Sequence, residues 1–151
     1  MDGITVSKEV TIDCAHMLSG HQALCKNLHG HTYKIVITVH GEPIPEGPSS
    51  GMIIDFKYLK QAIKDVIVRT FDHAVIFSAK EYRGEAEEAL YNWAYKYELR
   101  HFVMPARTTA ENMAKYFSEA IYEYLVNVND LSNIKKVTAR VYETPTSYAE
   151  V

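Results

Sequence analysis

His29 and His31 flank a single glycine, and the residues after them alternate Tyr33, Ile35, Ile37 and Val39 against Thr32, Lys34, Thr38 and His40. Such alternation marks a half-buried strand, and side chains two apart on a strand share a face. Both imidazoles therefore point the same way, close enough to hold one metal ion between them. Gly30 keeps the intervening position free of bulk, so that backbone or ligand can come close. Cys25 lies four residues before His29, where a loop can fold its thiol toward the same point. Two aligned imidazoles and a nearby thiol suit a catalytic metal site. A structural histidine pair, or a copper or iron site, is compatible with the same spacing.

Other elements must position this cluster. In residues 4–16, Ile4, Val6, Val10, Ile12, Cys14 and His16 share one parity, broken only by Lys8, which is again the pattern of a half-buried strand. His16 closes the apolar row and emerges on the inner face, so it is the best candidate for a third metal ligand. His21, in a Ser-Gly loop, competes with it. His40 has the opposite parity and reads as a surface residue, while Cys14 reads as a small buried core residue. Gly41 to Gly51, rich in proline, glycine and serine, reads as a long hairpin connection. Met52 to Ile54 read as a short strand, and Asp55 as the N-cap of a helix reaching about Val68. Asp72-His73 follows. Its plain reading is a turn with a solvated imidazole; its functional reading is a carboxylate orienting an imidazole for proton transfer.

Residues 84–98 read as a helix with Ala86, Leu90, Trp93 and Tyr97 on one stripe and a solvated, Glu-rich remainder. Thr108-Thr109-Ala110-Glu111 has the form of a capping box, opening a helix whose core stripe is Ala110, Met113, Phe117, Ile121 and Leu125. The last strand is expected from about Ile134 to Tyr142, ended by Glu143-Thr144-Pro145. A buried Glu143 beside a pocket could accept two N–H donors from a flat heterocycle.

This order suggests an α+β fold: an antiparallel four-stranded sheet with two main helices on one face, plus an inserted helix. The 151 residues fit one domain, 1–151, with an apolar fraction of 47%. A net charge of −3 without a basic block argues against a nucleic-acid partner. No apolar run approaches the roughly 20 residues that span a bilayer, so no membrane partner is expected. Two cysteines and no evident leader point to free thiols and a cytoplasmic location.

Taken in order, Cys14-Ala15-His16-Met17-Leu18, Cys25-x-x-x-His29-Gly30-His31, Asp72-His73, Thr109-Ala110-Glu111-Asn112 and Glu143-Thr144 resemble the 6-pyruvoyltetrahydropterin synthase family. The resemblance runs from about residue 4 to 146 and is closest to the 6-carboxytetrahydropterin synthase branch. It implies a tunnelling fold assembled as a homohexamer, and zinc (Zn2+) on His16, His29 and His31. It implies Cys25 as catalytic thiol, Asp72 and His73 as a proton-transfer pair, and Glu143 with Thr109 as pterin-binding residues. The implied activity is a lyase in the pathway to the queuosine precursor. It takes 7,8-dihydroneopterin triphosphate to 6-carboxytetrahydropterin, releasing acetaldehyde and triphosphate. A synthase of 6-pyruvoyltetrahydropterin is the alternative, as is a non-catalytic zinc-stapled pterin-binding module. The three-residue spacer Lys26-Asn27-Leu28 matches the carboxy-forming branch. The stretch of about 34 residues between His73 and Thr108 departs from the family's shortest members.

Overall fold

The computed structural model describes residues 3–151; residues 1 and 2 of the expected single domain lie outside the described residues. The chain runs β1 (Thr5–His16), β2 (His29–Gly41), α1 (Phe56–Ile63), β3 (Val75–Phe77), α2 (Glu85–Lys96), β4 (His101–Val103), α3 (Ala110–Glu123), β5 (Ile134–Thr144) and β6 (Ser147–Glu150). α1 continues through a π-helical turn, Lys64–Val68, and α3 through another, Tyr124–Val128.

β1 and β2 pair antiparallel from Thr5 opposite His40 to His16 opposite His29. β5 and β6 extend the antiparallel side, while β3 and β4 join in parallel on the far edge of β1. The result is a six-stranded mixed sheet in the order β4-β3-β1-β2-β5-β6, and not the four-stranded antiparallel sheet expected from sequence. The three extra strands are short. Three residues are too few for a period of two to show, which hides β3 and β4 in the sequence. β6 is hidden because Pro145 resembles a terminator. Instead β5 continues to Thr144, and residues 145–146 form a two-residue hairpin turn.

The short strand expected at Met52 to Ile54 is absent. Ile53 and Ile54 are buried as irregular backbone, and the Asn133 side-chain amide donates to the carbonyls of both Ile53 and Glu42, as a neighbouring strand would. Gly41 passes so close to this segment that a Cβ would lie 2.6 Å from the Asn133 carbonyl oxygen. Only glycine fits there.

The inner sheet face carries Ile12, Tyr33, Ile35, Ile37, Val39, Val137, Ala139 and Val141, packed against Leu59, Ile63 and Ile67 and against Met113, Phe117, Ile121 and Leu125. Burying each such side chain contributes roughly 1.5–3 kcal/mol. Asp55 caps α1, accepting from the Lys57 N–H at 3.0 Å. The α3 cap is Thr109, accepting from the Asn112 N–H at 3.2 Å, and not the Thr108–Glu111 box. Thr108 is buried instead.

α2 is rotated from the expected stripe. Glu87 and Ala94 are buried, whereas Trp93 is 51% and Tyr97 57% exposed. A buried carboxylate defeats a pattern reading because hydrogen bonds, and not apolarity, keep it inside. His40 is also not fully on the surface: half-buried, its Nε2 shares a hydrogen bond with Thr138 Oγ1 at 2.7 Å.

Candidate metal centre

The β1–β2 register sets His16 directly across from His29, and Cys14 across from His31. The ring centroids of His16 stand 4.7 Å from His29 and 5.4 Å from His31, and those of His29 and His31 are 5.0 Å apart. One ring nitrogen from each lies within 4.8 Å of the others. Gly30 permits the approach: a Cβ there would press on the Cys14 carbonyl oxygen at 3.3 Å.

The outer nitrogens are already engaged. His16 Nδ1 donates to the Thr108 carbonyl at 2.8 Å, and His29 Nδ1 to the Asn27 carbonyl at 2.7 Å. A carbonyl only accepts, so both rings donate from Nδ1, which leaves Nε2 as the nitrogen that can face a metal. Among the described residues, Nε2 of His31 is buried without a hydrogen-bond partner, with Glu143 Oε2 3.9 Å away. A buried nitrogen with nothing to bond to is what a metal would satisfy. Three ring nitrogens, two of them on rings held from behind, fit a metal site. Burial pushes the His16 imidazole down to about 4, outweighing the upward pull of the Thr108 carbonyl, and His29 and His31 add to the fall. His16 is therefore neutral, as a ligand must be.

His21 stands apart, its Nδ1 accepting from the Ala23 N–H at 3.0 Å. Its ring is not among the three that converge, whereas that of His16 is. Tyr33 closes the floor, its hydroxyl 3.4 Å from His16 Nε2. Burial, then Cys14 and Glu143, pushes that phenol above its ordinary range.

Cys25 sits half-buried on a 3-10 turn, Leu24–Lys26, its carbonyl accepting from the Leu18 N–H at 2.8 Å. Its sulfur does not join the histidine group, which leaves it free for a role other than ligand. Cys14 is buried, and burial first, then Asp72 and Asp13, pushes its thiol up to about 12. It is inert.

Asp72 Oδ1 lies 3.1 Å from His73 Nδ1 and accepts from the Asp13 N–H at 3.0 Å. Burial pushes its carboxyl up, but the Asp13 N–H and the His73 ring outweigh this and hold it below its ordinary value. His73, at φ 60°, lines an open cleft of about 470 Å³ with Asp13, Ala15, Gly30 and Thr32, whose strand parity is opposite to that of the imidazoles, and with Cys14 and His31, which share it. The pair is thus assembled at the edge of β1, beside a cleft that His31 also lines.

Glu143 lies on the inner parity of β5 and lines a cleft of about 500 Å³ with Gly30, His31, Lys34 and Tyr142. Thr109, half-buried at the head of α3, spends one lone pair on its cap and keeps its hydroxyl proton to donate. Sequence reasoning missed the Thr108 and Asn27 carbonyls that aim His16 and His29. A backbone carbonyl carries no residue-type signal, and the capping pattern drew attention to Thr108's side chain instead.

The 6-pyruvoyl tetrahydropterin synthase family model matches residues 5–151. The chain is 39% identical over 145 residues to 6-carboxy-5,6,7,8-tetrahydropterin synthase of Haemophilus influenzae, covering 96% of each. To the enzyme of that name from Rickettsia felis it is 32% identical over 150 residues, covering 98% of this chain and 99% of the relative. Among solved structures, the 6-pyruvoyl tetrahydropterin synthase of Plasmodium falciparum shares its fold with a TM-score of 0.70 at 21% identity, covering 99% of this chain and 96% of that one.

Proposed function

The chain belongs to the 6-pyruvoyl tetrahydropterin synthase family, and from that premise we propose that it is a zinc-dependent lyase making 6-carboxytetrahydropterin from 7,8-dihydroneopterin triphosphate, in the route to queuosine. The observation that carries the metal reading is the convergence of His16, His29 and His31 around a buried, unpartnered His31 Nε2. Relatives named for the carboxy product, and the three-residue spacer between Cys25 and His29, favour this product over the pyruvoyl one.

Bound zinc would supply a Lewis acid that lowers the pKa of a substrate hydroxyl and stabilises developing negative charge. Everything else falls to the chain. The Thr108 and Asn27 carbonyls hold two imidazoles by Nδ1 and aim Nε2 at the metal position, so that the ligand set is preorganised. Glu143 accepts N–H donors of the pterin ring, fixing it in the cleft beside His31. The free hydroxyl proton of Thr109 adds a donor near the ring. Cys25 is the base that takes a proton from the substrate side chain.

Asp72 and His73 supply the second proton transfer. Asp13, Ala15, Gly30 and Thr32 beside His73 have the strand parity opposite to the imidazoles, which supports reading the pair as serving the site of a neighbouring copy in a homohexamer. Each active site is then shared between subunits. Incubating zinc-loaded protein with 7,8-dihydroneopterin triphosphate tests the reading. Triphosphate release is expected from loaded protein and not from chelator-treated protein; equal release from both would overturn it.

A further inference from the structure

Glu87 on the inserted helix α2 is fully buried, and both of its carboxylate oxygens are used. Oε1 accepts from the Ser19 hydroxyl at 2.6 Å, and Oε2 accepts from the Ser78 N–H at 2.8 Å. A carboxylate inside a protein is costly unless hydrogen-bonded, so its retention calls for a physical reason. The two bonds lead to different sides of the metal centre.

From Oε2 the path runs through Ser78. The Ser78 hydroxyl oxygen accepts from the Thr108 N–H at 3.3 Å, and the Thr108 carbonyl is the acceptor that holds His16 Nδ1 at 2.8 Å. From Oε1 the path runs through Ser19. That residue follows Leu18, whose N–H donates to the Cys25 carbonyl at 2.8 Å, and Arg107 secures the Ser19 carbonyl at 2.9 Å. One side chain of the insertion thus braces the support behind a metal ligand with one oxygen, and the turn bearing the thiol with the other.

We infer that Glu87 is a positioning residue that sets His16 and the Cys25 turn relative to one another. This rests on the reading of His16 as a metal ligand and Cys25 as the reactive thiol. It gives the inserted helix a part in the site although none of its residues enters the metal centre.

Two readouts test it, neither of them turnover: zinc affinity by competition with a chromophoric chelator, and the rate at which iodoacetamide alkylates Cys25 in metal-free protein. Glu87→Gln keeps the size of the side chain but turns one oxygen into an N–H donor facing the Ser78 or Ser19 donor. It is expected to weaken zinc binding by about tenfold or more and to speed alkylation severalfold. Ser78→Ala should weaken zinc binding alone, and Ser19→Ala should speed alkylation alone. Glu88→Gln, which breaks the Arg83 ion pair at 2.7 Å on the same helix, should change neither. If Glu87→Gln lowers the melting temperature yet leaves both readouts at parent values, the inference is wrong. The same holds if Ser78→Ala and Ser19→Ala each shift both readouts alike, since that is general loosening. A parent protein that takes up no zinc overturns the metal reading and with it the His16 path; the alkylation rates of the Ser19 and Glu87 variants then decide the Cys25 path by themselves.

Discussion

On the proposed reading the histidine nitrogens and the Cys25 thiol have distinct tasks, and single substitutions separate them. Cys25→Ala removes a base and no ligand, so zinc content should stay at the parent level while turnover falls roughly 100- to 10,000-fold. An active Cys25→Ala protein would take the thiol out of the mechanism. Glu143→Ala should leave zinc in place and weaken pterin binding by about 2 kcal/mol, roughly thirtyfold, read as a rise in KM. His16 carries a pH signature. Its folded-state value is lowered from 6.5 to about 4. Above the higher value neither state takes a proton there, and the stability is fully present. As pH falls, the unfolded chain binds a proton that the buried ring refuses, so metal-free protein loses stability down to the lower value. Thermal unfolding of metal-free protein at pH ~7 and ~5 should show the loss, and His16→Ala should reduce it. An identical pH dependence in parent and variant would show that His16 is not its source.

At the scale of elements, β1, β2 and α3 bring the candidate residues together, and each is held by a small number of local features. Thr109 caps α3, so Thr109→Ala should cost about 1 kcal/mol, or about 3 °C in melting temperature, with Thr109→Ser close to the parent. Equal stability of all three would mean the cap contributes nothing. These were also the elements most legible in the sequence. Strand parity aligned His16 with His29 and His31 because a period of two carries over long strands, and the α3 stripe followed its period of 3.6. Features that depend on contacts between distant segments were not legible. β3 and β4 exist because β1 offers an open edge, Ile53 and Ile54 are buried under Asn133, and α2 turned about one residue from expectation to bury Glu87. A period of 3.6 counts apolar residues. It cannot see that two serines, at positions 19 and 78, wait for a carboxylate.

For the molecule as a whole, the proposed homohexamer, in which Asp72 and His73 serve a neighbour's site, would make the site a property of the assembly. Cys25→Ala and His73→Ala proteins should each be inactive alone. Unfolded together and refolded as a mixture, they should regain part of the parent activity, because some sites then combine an intact Cys25 with an intact His73 from a neighbour. No recovery in mixed oligomers would place both groups in one chain's site. On the same proposal, the short spacer sets where the thiol would meet the substrate side chain, and a displacement of about 1 Å is enough to change which carbon it reaches. Product identity is therefore the most direct test. Zinc-loaded protein is incubated with 7,8-dihydroneopterin triphosphate and the products are resolved by mass. The account predicts 6-carboxytetrahydropterin with acetaldehyde; 6-pyruvoyltetrahydropterin as the main product, with no acetaldehyde, would contradict it.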